Sequence, residues 1–441
     1  MNREKEWLTA ATQARGNGDY HAYRCILEPL AIQGDPDAQN GLGWVYDTGR
    51  GAAQDDAQAI GWYRRAAEQG LARAQCNLGI MIREGRGVAQ DDAAAVAWFR
   101  KAADQGFLDS YVNLGFMYDN GRGVPQDASQ ALAWYRKAAD QGNVYAQTRL
   151  GDKSRDGQNV SQDDEQAAAW YRKAADQGHP DAQANLGFMH DKGRGVPQDD
   201  AQAAAWYRKA AEQGSVYAQG NLGTMYRTGR GVTQDDAQAV VWYRKAADQG
   251  NAYAQSELGL MYERGEGVPR DYWKALELYE SAASAGVRSG VYRMARLFLF
   301  GHGVKMDEKR ALSLFLQAAD LGDACAAYYV GYIHFNGYGV GVDYQEAVKW
   351  FRKSGDAGDP DALFYLGVCS ARGAGVPRDH EAALAWYRQA GNRGSSKAKV
   401  VLGRAHETGY LVAQSYTEAR RLYSGAQGKG NKLAAELLKK M

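Results

Sequence analysis

Glycine recurs at one spacing along this chain: Gly70, Gly106, Gly142, Gly178, Gly214, Gly250, Gly286, Gly322, Gly358, Gly394 and Gly430 stand 36 residues apart without a slip. A second column, Ala59 through Ala419, is alanine in all eleven copies, and a third, Gly49 through Gly409, is glycine throughout. A period this strict marks a repeat architecture in which each unit packs on its neighbours. Eleven repeats fill residues 35–430. Residues 1–34 keep Ala31 and Gly34 in register and read as an N-terminal helical cap, and the Lys-rich tail at 431–441 reads as a C-terminal cap. At 441 residues the chain exceeds what one globular core serves, yet no composition shift marks a domain boundary. A solenoid removes that conflict.

Each repeat reads as helix, loop, helix. Ala38, Leu42, Val45 and Tyr46 form one apolar stripe at helical spacing. Pro36, Pro180 and Pro360 stand at the helix start, where a missing N–H costs nothing. Gly43 heads a column that is glycine in ten copies and Ala295 in the other, which predicts close approach of a second helix. The loop is Gly-x-Gly-Val, as in Gly121-Arg122-Gly123-Val124. The second helix opens at an acidic column, Asp55 through Asp379, whose only departure is Ser415. Serine also caps helices, so this column reads as a cap and not as a catalytic or metal carboxylate. Trp62, Tyr63, Ala66 and Ala67 supply the second stripe, and the Gly70 column is the left-handed stop.

Leu-Gly-x-x-Tyr, Gly-x-Gly-Val, Asp and Trp-Tyr-Arg-Lys-Ala-Ala-Asp-Gln-Gly together closely resemble the Sel1-like repeat, a variant of the tetratricopeptide repeat, over about 90% of the chain. The resemblance implies an all-α, right-handed superhelical solenoid of stacked antiparallel helix pairs with a concave inner face. It also implies protein–protein interaction, commonly as bacterial adaptors in envelope, secretion and host-contact processes; some members are immunity partners of secreted effectors. Repeat four departs from the pattern, with Asp152, Lys153 and Ser154 at usually apolar or tyrosine positions and Asn159 for the second loop glycine. It reads as a weak joint or as a drifted copy. Repeat eleven carries Leu411 and Gln427 in place of glycine and alanine, as a terminal repeat can.

No residue pattern points to chemistry. The seven histidines form no metal-ligand spacing, and His190, His334 and His406 take the usual tyrosine position in packing. Nucleophile-elbow and phosphate-loop motifs are missing, and the Gly-x-Gly-Val loops follow helices and lack the third glycine of a dinucleotide site. Catalytic, cofactor-binding and metal residues are therefore expected to be none. Cys25, Cys76, Cys325 and Cys369 occupy different repeat positions and read as free thiols. The 53 basic and 52 acidic residues leave a net charge of +1, which gives little support to nucleic-acid binding, and no run is long enough for a membrane span. The start, Met1 to Trp7, shows no signal peptide. The expectation is a cytoplasmic protein, or a periplasmic or secreted one if the true N-terminus is missing.

In the tetratricopeptide alignment, the groove-facing positions of repeat one are Asp37, Asn40, Gly41, Trp44 and Asp47. Down those columns, repeats one to seven place mostly small, polar or charged residues, such as Asp109, Asn113, Asn185, Asp191, Asn221 and Arg227. Repeats eight to ten place Tyr292, Tyr328, Tyr329, Tyr332, Phe335, Phe364 and Tyr365 there. This aromatic set reads as a partner-binding surface. Alternatively it refills a core that has lost its usual tyrosine at Phe298, His334 and Ser370. The expected function is a non-enzymatic scaffold or adaptor that binds a protein or peptide in its concave groove. A second reading is an immunity or regulatory partner sequestering a secreted effector such as a phospholipase toxin, and a third is a hydrolase.

Overall fold

The computed structural model describes residues 3–157 and 162–441. It divides into two compact units, 1–218 and 219–441. Every regular element among the described residues is a helix, and the repeats form an all-α solenoid of helix pairs. Asn159, the loop substitution of repeat four, lies outside the described residues.

Repeat one shows how sequence sets each boundary. Its first helix, Pro36–Thr48, starts where Asp35 accepts from the Ala38 N–H at 2.8 Å, and it ends at Gly49 in the left-handed region. Its second helix, Asp56–Glu68, starts where Asp55 accepts from the Gln58 N–H at 3.0 Å, and Gly70 follows it at φ 93°. In repeat eleven the Ser415 hydroxyl does the same for the Glu418 N–H at 3.2 Å. The acidic column is thus a row of helix caps, each satisfying one of the donors a helix start leaves open.

The two helices of a repeat meet at the small-residue column. A Cβ on Gly115 would lie 2.7 Å from the buried Tyr135 ring, so a glycine lets the second helix seat its largest fully buried side chain against backbone. Loops dock just as closely. Gly123, at φ 68°, lies so near the Asp92 carbonyl of the preceding repeat that any Cβ would collide with it.

Buried polar latches join successive repeats. Gln75 donates to the Ala67 carbonyl at 3.2 Å and accepts from Gln105 at 2.9 Å, and Gln183 repeats this with Ala175 and Gln213. Each amide is satisfied, so its burial costs little. On the loop side, Arg86, Arg122 and Arg194 reach back to Asp56, Asp92 and Asp164 at 2.6, 2.8 and 2.7 Å. In repeats eight to ten the glutamine column becomes Val291, Ala327 and Leu363, all buried.

Repeat four keeps a regular first helix, Val144–Asp156. Its polar substitutions are paired: Lys153 lies 2.6 Å from Asp119, Asp152 accepts from the Tyr171 hydroxyl at 2.8 Å, and Ser154 bonds Gln166 at 3.1 Å. At the chain ends, helices Arg3–Gly16 and Tyr20–Ile32 precede the first repeat, with Tyr23 and Leu27 packed beside Leu42 and Val45. Helix Lys432–Lys440 packs Ala434 beside Tyr423 and Ala426. All four cysteines are unpaired.

Candidate functional site

The aromatic character of repeats eight to ten begins on the second helices. In repeats one, seven and eleven the buried tyrosine of the second helix donates its phenol to an acid on the first. Tyr63 bonds Asp47 at 3.3 Å, Tyr279 bonds Glu263 at 2.6 Å, and Tyr423 bonds Glu407 at 2.8 Å. Repeats eight and nine have Phe315 and Phe351 at this position, with no hydroxyl to satisfy, and Leu299 and Phe335 where the acid stood. Rings from the following repeat cover them instead. Tyr329 stacks on Phe315 at 4.8 Å and 8°, and Tyr365 stacks on Phe351 at 5.2 Å and 22°. Where repeats one, seven and eleven use a phenol–carboxylate pair, repeats eight and nine use ring stacking.

The seven aromatic residues form one connected network on three first helices, Arg288–Phe300, Ala324–Asn336 and Pro360–Arg372. Tyr292 meets Tyr329 at 5.9 Å, Tyr328 meets Tyr332 and Tyr365 at 5.9 Å each, and Tyr332 meets Tyr365 edge-on at 5.7 Å. Phe335 and Phe364 flank Tyr365 at 5.4 and 5.6 Å, and Phe364 continues to Tyr387 at 5.6 Å. Tyr328 is buried, while the other six are half-buried. The Asn40 column that holds Tyr328 is mostly enclosed along the chain, for Cys76, Thr148 and Ser256 are buried as well. Tyr292 and Phe364 share that column yet stay half-buried, so the accessible face comprises the six rings other than Tyr328.

Burial raises the phenol pKa of Tyr292, Tyr328, Tyr329 and Tyr365, and pushes Tyr332 up to about 12. All five phenols stay protonated at physiological pH, and the cations beside the rings are Arg296, 5.9 Å over Tyr292, and Lys397, 5.9 Å over Phe364 and over Tyr365. At its repeat-seven edge, Arg293 binds Glu257 at 2.8 Å and the Ser256 carbonyl at 2.6 Å.

The polar part of the groove is tied up internally. Down the Asp47 column the charges alternate as Asp47, Arg83, Asp119, Arg155, Asp191, Arg227 and Glu263, then turn apolar at Leu299, Phe335 and Ala371. Arg83 donates to Asn113 at 2.7 Å, and Arg227 lies 3.3 Å from Glu257. A composition reading of each repeat misses this alternation, which only the sign down the column reveals. The same reading passes over Tyr145, Tyr217 and Tyr253, three exposed rings in the Asp37 column.

No group of His, Cys, Asp and Glu among the described residues could hold a metal ion. No described helix is long and apolar enough to cross a membrane. Paired-helix repeats with a half-buried aromatic face define a class of interaction solenoid. Eleven segments match the Sel1 repeat, at residues 36–71, 72–107, 108–143, 144–179, 180–215, 216–251, 252–287, 289–323, 326–359, 360–395 and 396–426. The chain belongs to the Sel1 repeat family, a non-enzymatic protein-interaction family, which sets the hydrolase alternative aside.

Among solved structures, a protective antigen present in uropathogenic Escherichia coli strains is 38% identical, with a TM-score of 0.84 over 94% of this chain and 89% of that one. A Sel1 repeat protein from Oxalobacter formigenes is 34% identical, with a TM-score of 0.54 over 70% of this chain and 89% of its own. Curated proteins gave no match.

Proposed function

We propose that this non-enzymatic interaction module binds a protein or peptide in the groove of repeats eight to ten, with Tyr292, Tyr329, Tyr332, Phe335, Phe364 and Tyr365 as the anchoring face. The observation that carries the reading is the continuous, half-buried, uncharged ring network. Rigid aromatic rings give large contact area at low entropic cost, and interface hot spots favour them. The paired charges of the preceding repeats offer a partner less, because each must first be released from its neighbour.

The ring stacking on Phe315 and Phe351 also shapes the test, because removing Tyr329 or Tyr365 would unpack the interior. A photo-crosslinking residue placed at 332 in the full chain, expressed in the native host, should capture a defined protein. The same residue at exposed position Gln130 should not. Equal labelling at both positions, or none at 332, would count against the groove.

A further inference from the structure

We propose a second interaction surface, a cleft of about 750 Å³ between the second helices of repeats seven and eight, built to take an acidic segment bearing an apolar side chain. Two departures from the repeat line it, and a third lies on the same two helices. The first is Trp273, 69% exposed in a column whose other members are Ala, Ser, Glu, Lys, Gln and Thr. The second is the loop pair Lys305-Met306. It supplies the only charge in the first column and an apolar side chain, 58% exposed, in a column that is mostly glutamine.

The third departure is a broken ladder. In repeats one to six a tryptophan on the second helix carries a cation over its ring, as with Lys209 at 3.9 Å from Trp206 and Lys245 at 4.2 Å from Trp242. Repeats seven and eight replace this pair by Leu278-x-x-Ser281 and Leu314-x-x-Gln317. Repeat nine restores it, with Lys353 at 4.6 Å from Trp350. The ladder is lost where an unshielded tryptophan stands beside an open cleft.

Charge selects the occupant. Among the described residues no carboxylate lies within 4.0 Å of Lys305 or Lys309, both exposed on the rim. Arg310 lies 4.1 Å over the Phe298 ring and 3.6 Å from Glu280. Of the two acids on the rim, Asp307 is engaged as the helix cap of Arg310 N–H at 2.9 Å, which leaves Glu308. An exposed indole and a thioether in one cleft with two ammonium groups that have no carboxylate in reach match a segment with an apolar anchor and acidic flanks.

The test is fluorescence anisotropy on the full chain with a labelled peptide of glutamate and aspartate around a central Leu-Phe pair. Controls replace the acids by lysine or the Leu-Phe pair by serine. Only the first peptide should bind. Trp273→Ala, and separately Lys305→Glu with Lys309→Glu, should each weaken it about tenfold or more. Circular dichroism melting should not change, because these side chains are exposed, and Tyr332→Ala should bind as the parent does. Four outcomes would overturn the proposal: no binding at millimolar peptide, equal binding by the lysine peptide, parent affinity in the variants, or a dimer in sedimentation equilibrium that Trp273→Ala abolishes. Flotation with vesicles containing phosphatidylglycerol that depends on Trp273, without peptide binding, would assign the cleft to a membrane and also overturn it.

Discussion

The Lys153 ammonium lies 2.6 Å from the Asp119 carboxylate, at side-chain exposures of 5% and 15%. Lys153 stands in the column that holds Met81, Met117, Met189 and Met225, all buried. Removing one partner of a buried pair leaves a charge uncompensated, at a cost of about 3–5 kcal/mol, whereas an apolar replacement of the pair is often neutral or better. Asp119→Ala should therefore strip hydrogen-exchange protection from helix Val144–Asp156. The double variant with Lys153→Met should restore it. Local exchange is the right measure because long repeat arrays need not unfold in one step. Failure of the second change to rescue the first would show that the pair is not the source of the loss.

Two glycines inside helices should respond to alanine with opposite signs. At Gly115 the added methyl would sit 2.7 Å from the Tyr135 ring, and overpacking of this kind costs about 1–3 kcal/mol. At Gly61, in helix Asp56–Glu68, a Cβ meets nothing within 4 Å, so alanine should gain about 0.5–1 kcal/mol through helix propensity. Hydrogen exchange in helix Leu108–Asn120 of Gly115→Ala and in helix Asp56–Glu68 of Gly61→Ala, each against the parent, checks both. A shared sign would mean that local propensity, and not the approach of the two helices, governs the column.

The helices, their caps and their close approaches were legible because each rests on a residue type that local backbone chemistry demands. Asp55 caps, Gly70 takes positive φ and Gly115 admits a ring, whatever the partner. The aromatic site was legible in position but not in depth. Whether Tyr328 is buried or Tyr365 is stacked depends on Phe351 in a neighbouring helix, and that relationship has no signature within one repeat. The choice between binding and core compensation has the same root, since Tyr329 and Tyr365 each cover a phenylalanine with one side of the ring while staying half-exposed. Polar residues were harder still. Lys153 looks like a defect until Asp119, 34 positions earlier, is seen beside it.

His190 should make the first compact unit acid-sensitive. It is buried in the column where Tyr118 accepts a hydrogen bond from Arg100 at 2.6 Å, and Arg172 lies 3.2 Å from its Nε2 in the same way. A guanidinium can only donate, so the imidazole accepts and must be neutral. Burial first, then Arg172, holds its pKa below the ordinary 6.5. The unfolded chain then binds a proton that the folded one refuses. Stability is complete above about pH 6.5, falls as pH drops below that value, and levels off only beneath the depressed folded pKa. His190→Tyr should remove this step from a stability–pH profile between pH 7 and 5. An unchanged profile would place the sensitivity elsewhere.

Leu411 is the only residue other than glycine with positive φ among the described residues, at 60°. It occupies the position that is Gly123 in repeat three, and the left-handed region costs a side-chain-bearing residue about 1–2 kcal/mol. The side chain is 47% exposed beside a cavity of about 360 Å³ lined by Leu384, Tyr387 and Val401, so it recovers little of that cost by burial. Leu411→Gly should relieve the strain, and the added freedom of the unfolded chain should offset part of the gain. The expected net is about 0.5–1 kcal/mol in favour of the variant, read as greater exchange protection in helix Tyr416–Gln427. Leu411→Ala keeps the strained φ and should show no gain. If Leu411→Gly instead loosened that helix, contact between the leucine and the cavity wall would outweigh the backbone strain.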